Sequence, residues 1–177
     1  MTEVREVGVA IHKLGRVLLP AMAFGLALAA CSSKAADGAA QATGTAASAS
    51  VHPVSGLPVV DLTVTRLRTV HRFRVEVART GPEQEKGLMF RTTLGADEGM
   101  IFPMEAPRLA SFWMKNTVIP LDILFIGFDR RVINIAANAI PYDETPLNSA
   151  RPAIAVLELR GGRAAELGIA AGDRVDW

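Results

Sequence analysis

Arg91, Lys115, Asn116, Asp122 and Glu158 are the side chains whose types and settings are suited to chemistry. Lys115, Asn116 and Asp122 stand inside Ser111–Ile126, a block otherwise dominated by apolar and aromatic residues. Charged groups seldom sit beside such runs unless they are paired or used. In one arrangement the set lines a cleft, with Asp122 and Glu158 as acid and base or as ligand acceptors. Lys115, Asn116 and Arg91 then bind an anion or a sugar hydroxyl. Two carboxylates in unlike surroundings separate their pKa values, as general acid/base work requires. In the other arrangement the same residues form an internal network. Asp122 and Glu158 then neutralise Lys115 and Arg91, and Asn116 ties down the turn before Pro120. Binding without turnover, catalysis and a structural network all remain open at this level.

Other chemistry is narrowed by counting. Cys31 is the only cysteine, so the sequence offers no disulfide and no thiolate metal site. His12 and His52 precede the expected folded part, which leaves His71 as its one histidine. A multi-histidine zinc site is excluded, and a Ser-His-Asp triad would have to use His71. No glycine-rich phosphate loop or dinucleotide fingerprint occurs, so neither a metal nor a cofactor is expected. Phe112-Trp113-Met114 places three large groups in a row, either covered on both faces or lending Trp113 to a carbohydrate platform. Tyr142-Asp143-Glu144 reads as a solvated acidic turn, because no further acidic ligands follow at calcium-loop spacing.

The elements that would position these residues are mostly strands. Val59–Arg66 alternates, with Val60, Leu62 and Val64 on one side and Asp61, Thr63 and Thr65 on the other. Arg72–Ala78 alternates again, with Phe73, Val75 and Val77 inward against Arg72, Arg74 and Glu76. Thr80-Gly81-Pro82-Glu83 then opens a short helix, with Thr80 as N-cap and Glu83 closing a capping box. Strands are expected at Gly99–Phe102 and Leu109–Met114, separated by a loop that Pro103 and Pro107 punctuate. Leu121–Phe128 is apolar on both parities except at Asp122, and Ala153–Leu159 except at Glu158, so both read as strands buried on two faces. Val132–Ala139 and a terminal strand through Val175 complete the set, and Gly162–Leu167 suits a single helical turn. The expected fold is mainly β: a compact, jelly-roll-like sandwich or barrel with one or two short helices. Parallel α/β architecture is disfavoured for want of crossover helices.

The N-terminus reads as an address. Arg5, Lys13 and Arg16 precede the fourteen-residue apolar run Val17–Ala30. That run is shorter than the roughly 18–20 residues that span a bilayer and suits a signal-peptide core. Leu28-Ala29-Ala30-Cys31 resembles the lipobox of bacterial lipoproteins. The resemblance implies a signal peptide over 1–30 and acylation of Cys31, which holds the chain to the membrane. Ser32 follows Cys31, and under the common sorting rule this implies the outer membrane, with the domain facing the periplasm. The Ala/Ser/Thr/Gly-rich stretch that follows cannot bury enough surface to order itself, so 31–56 is expected to be a lipid-anchored flexible tether. A single globular domain is expected over 57–177. Basic and acidic side chains are equal in number from Leu57 to Trp177, which argues against a nucleic-acid partner.

From roughly Phe73 to Trp177 the chain resembles the family of domain of unknown function 192. The resemblance rests on Glu85-Lys86-Gly87-Leu88-Met89-Phe90-Arg91, Gly99-Met100-Ile101-Phe102, Phe112-Trp113-Met114-Lys115-Asn116-Thr117 with Pro120-Leu121-Asp122, and Ala155-Val156-Leu157-Glu158-Leu159. It implies a mainly β, jelly-roll-like domain, often exported or lipid-anchored, and no particular activity. The expected function is therefore a cell-envelope lipoprotein acting as a non-catalytic binding or interaction module. An envelope glycan or an envelope protein is its expected partner. The alternatives are a glycan-directed hydrolase or transferase using Asp122 and Glu158, and an accessory subunit of an envelope complex.

Overall fold

Alternation sets the first hairpin. β2 (Pro58–Arg66) and β3 (Thr69–Val77) pair antiparallel with Leu62 opposite Phe73 and Val60 opposite Val75. Leu62, Val64, Phe73 and Val75 are buried, while Asp61, Arg72 and Arg74 face outward. The computed structural model describes residues 50–177, and among these no helix is long and apolar enough to cross a membrane. Cys31, the apolar run before it and most of the expected tether lie outside the described residues.

The remaining elements are β1 (Ser50–Val51), α1 (Gly81–Lys86), β4 (Glu98–Arg108), β5 (Ser111–Phe112), β6 (Leu121–Ile126) and β7 (Val132–Ala139). After these come β8 (Leu147–Asn148), β9 (Ala153–Arg160), α2 (Arg163–Leu167) and β10 (Arg174–Asp176). The main sheet runs β1-β2-β3-β4-β9-β6-β7, and β10 pairs with β2 along the same edge as β1, further down the strand. β10 also reaches the start of β7. Arg131 bridges Arg174, and the Val132 amide donates to the Asp173 carbonyl at 2.9 Å. The sheet thus closes on itself as a barrel, which removes the free edges that strands otherwise expose.

Two cores follow from strand parity. Val75, Ile101, Leu124, Ile126, Leu157 and Leu159 fill the interior with the first hairpin, and Ala164 and Ile169 join them from and beyond α2. The opposite parity of β4, β6 and β9 presents Met100, Phe102, Ile123, Phe125 and Val156 on the outside. That outer face is roofed by the segments around α1, β5 and β8. Phe112 of β5 meets Phe102 edge-on at 5.1 Å and Phe125 at 6.3 Å. Strands buried on both faces, as expected for β6 and β9, result from this roof.

Four local expectations change. β4 continues through Pro103 to Arg108, with an irregularity in its pairing between those two residues. Proline is tolerated there because β3 pairs β4 only as far as Ile101, leaving no ladder partner for the missing N–H on that side. β3 and β4 are parallel, joined by the crossover that contains α1, so the sheet is mixed. Leu109–Met114 contributes only the two residues of β5. The folded unit also includes residues before Leu57. Ser50 and Val51 pair with Val59 and Pro58, which brings His52, as a second histidine, into the folded unit.

Candidate functional site

Glu158 sits in the middle of β9, paired with Met100 of β4 and Ile123 of β6. Directly opposed residues share a face, so its side chain points outward with theirs, under the roof. It is 5 % exposed; no side chain or amide among the described residues bonds its carboxyl, whose oxygens are nevertheless not sealed from solvent. Burial alone pushes its pKa up to about 8. At neutral pH it is therefore a neutral acid, able to donate as well as accept.

The carboxyl opens into a cleft of about 320 Å³. Leu88, Phe102, Met104 and Phe112 form apolar walls, with Ser111 and Thr117 adding hydroxyls. Lys86, Arg108 and Lys115 also line it, so its basic side chains outnumber its ionised carboxylates. Trp113 is about half exposed (48 %), with the Lys115 Nζ 5.1 Å from its ring centre.

Local sequence builds this wall. The capping box forms as expected: Thr80 accepts from the Glu83 amide, and the Glu83 carboxylate takes the Thr80 amide at 2.8 Å. Those backbone hydrogen bonds hold the Glu83 carboxyl below its ordinary pKa. Gly87 ends α1 at a φ of 45°, where a Cβ would lie 3.3 Å from the Phe102 ring. Phe90 and Asn116 both adopt positive φ, and the Phe90 amide donates to the Asn116 carbonyl at 2.9 Å. The Asn116 side chain meets the Met89 sulfur at 3.8 Å. Asn116 thus fastens the wall from α1 to the turn after Trp113, rather than facing a ligand.

Asp122 belongs elsewhere. It lies opposite Leu159, one position out of step with Glu158, and so points to the barrel interior. Its Oδ1 accepts from the amides of Asn138 at 2.7 Å and Gly162 at 3.0 Å, and its Oδ2 from Ala164 at 2.7 Å. Gly162, the residue before α2, has no side chain to cap that helix. Asp122 does so from a neighbouring strand. The expected pairing of Asp122 with Glu158 in one cleft is thereby corrected: the sheet separates them.

Arg91 is also split from Glu158. Its Nη2 donates to both oxygens of Glu76, at 2.8 and 2.7 Å. Glu76, 3 % exposed, also accepts from the Ser55 hydroxyl and has the His52 ring 3.6 Å away. The expected neutralisation of Asp122 and Glu158 by Lys115 and Arg91 is therefore replaced by three separate arrangements. The parity of β3 marks Glu76 as solvent-facing; Ser55, His52 and Arg91 cover it and make it buried. A second cleft, of about 410 Å³, lies beside this pair. No cluster of three or more potential ligands for a metal ion occurs among the described residues.

A family model, domain of unknown function 192, described as an uncharacterized ACR, matches residues 62–177. The chain belongs to that family. A crystal structure of a protein of unknown function from Novosphingobium aromaticivorans is 64 % identical, with a TM-score of 0.72, over 75 % of this chain and 94 % of that one. A second, from Sinorhizobium meliloti and provisionally described as a transcription regulator, is 36 % identical. It has a TM-score of 0.66 and covers 68 % of this chain and 94 % of that one. No curated protein matches. Within this member of domain of unknown function 192, Glu76, Arg91, Lys115, Asp122 and Glu158 fall inside the matched residues. His52 and Ser55 precede them.

Proposed function

We propose that this protein is a non-catalytic binding module of the bacterial cell envelope, and that the cleft above Glu158 receives an N-acetylated sugar. The observation that carries this reading is Glu158 itself: a largely buried, neutral carboxyl that opens into a cleft. Its oxygens are not sealed off, since among the described residues no buried side-chain oxygen or nitrogen lacks a hydrogen-bond partner, so a ligand in the cleft can reach them. A neutral acid donates to a carbonyl oxygen, and an acetamido group supplies one. The hydroxyls of Ser111 and Thr117 are available to accept the amide N–H. Its methyl group suits the apolar wall of Phe102 and Phe112, and the half-exposed Trp113 offers a ring face.

The address in this proposal comes from the sequence. The apolar run Val17–Ala30 ending at Cys31 supports a signal peptide and a lipid anchor through Cys31. Outer-membrane attachment facing the periplasm, and an envelope glycan as partner, follow from that address. A two-carboxylate hydrolase using Asp122 and Glu158 is disfavoured, because the two groups face opposite sides of one sheet. The even charge balance of residues 57–177 gives no support to nucleic-acid binding.

Titration calorimetry of the domain from residue 50 at pH 7 tests the binding. Saturable uptake of N-acetylglucosamine, absent for glucose and lost in Glu158→Ala, is the expected result. Equal response to the two sugars, or full binding by the variant, would reject it.

A further inference from the structure

We infer that the cleft beside Arg91 is a second subsite for the same ligand, so that the protein takes a glycan of at least two units with an acidic group on the second. This rests on the reading of the Glu158 cleft as a sugar site. The two clefts are not independent. Lys86, Gly87 and Met89 line both, forming the ridge between them. The ridge is low at Gly87, whose positive φ and the nearby Phe102 ring both disfavour a side chain. At about 320 and 410 Å³ each cleft is near the lower end for small-molecule sites, about 300–1,000 Å³. A ligand crossing the ridge occupies both.

The second cleft differs in chemistry. Val54, Leu57 and Pro82 form its apolar side, and Phe90, 68 % exposed, stands open to solvent at its edge. Its cations are Arg91 and, on the ridge, Lys86, and the Glu83 carboxylate also lines it. Every contact that guanidinium makes with Glu76 runs through Nη2. Nη2 also lies 3.4 Å from the His52 ring, while among the described residues Nε and Nη1 have no protein acceptor and are not sealed from solvent. A planar cation held by one carboxylate, with donors to spare at a cleft wall, matches a ligand carboxylate. Glu76 fixes the guanidinium, and His52 and Ser55 fix Glu76.

The test compares N-acetylglucosamine with the disaccharide of N-acetylglucosamine and N-acetylmuramic acid, titrated into the domain from residue 50. Residues 50–177 contain both cores and the barrel closure, so that domain folds as a unit. The disaccharide is expected to bind about tenfold or more tightly than the single sugar. Arg91→Lys and Phe90→Ala should each bring the disaccharide down to the affinity of the single sugar and leave the latter unchanged. Phe90→Ala removes an exposed ring, so loss of folding does not confuse it. Equal affinity for the two sugars, or variants that weaken both alike, would overturn the second subsite and leave the first standing. Failure of both sugars to bind would overturn both readings together.

Discussion

Asp122 and Glu158 lie on adjacent antiparallel strands one register step apart, and their carboxyls point to opposite faces of the same sheet. The inward one receives three backbone N–H groups. The outward one receives none among the described residues and is neutral at pH 7. Two acidic residues on buried strands thus have opposite fates: Asp122 is satisfied by the fold, and Glu158 is left for something outside it.

Asp122→Asn should destabilise the domain by about 3–5 kcal/mol, because an amide nitrogen would face an N–H donor and unsatisfied amides would remain buried. That corresponds to a fall of roughly 10–20 °C in Tm for a domain of this size. A thermal melt beside the parent checks it, and sugar binding by the surviving folded fraction should be unchanged.

Glu158 gives stability the opposite pH dependence from an ordinary carboxylate. Its pKa is about 8 when folded against 4.5 as the ordinary value. Between those limits the unfolded chain is ionised and the folded chain holds the proton, so stability falls as pH rises from about 4.5 to 8. The loss is on the order of 5 kcal/mol and is complete above the folded pKa. Glu158→Gln stays neutral throughout. Its Tm should exceed the parent's by roughly 15–20 °C at pH 8.5 and match it near pH 4. Parallel melting curves across that range would contradict this.

Removing the partner of Arg91 should loosen the N-terminal clasp. Glu76→Ala leaves a half-buried guanidinium unpaired and frees Ser55 and His52, at a cost of about 3–5 kcal/mol. Hydrogen exchange should then speed up at the amides of Gly56 and His52, which bond His52 and Leu57 in the parent. Exchange confined to parent rates would show that the clasp does not depend on Glu76.

Much of this frame is readable from residue order. Period-two runs locate β2 and β3, continuous apolar runs locate β6 and β9, and the Thr80–Glu83 capping box locates α1, because each signal is local. The polar residues stand out for a similar reason: a carboxylate within an apolar strand needs an explanation wherever the strand lies. Which explanation applies is not local. Asp122 is answered by α2, forty residues on, and Glu158 by a roof contributed from α1, β5 and the turn at Asn116. Arg91 is answered by Glu76, whose alternation marks it as solvent-facing until residues 50–57 fold over it. The same step hides His52, since polar, small-residue sequence before it gives no sign that Ser50 and Val51 pair with β2.

The most direct test of the central claim is carbon-13 NMR titration of the Glu158 carboxyl, with and without N-acetylglucosamine. The free domain should titrate near pH 8 at this carbon. A ligand that accepts the acid proton binds the neutral form preferentially, so saturating sugar should raise the midpoint further, while Glu158→Gln removes the signal. A midpoint near 4.5, or one that the sugar leaves unmoved, would contradict a neutral binding acid at the base of this cleft.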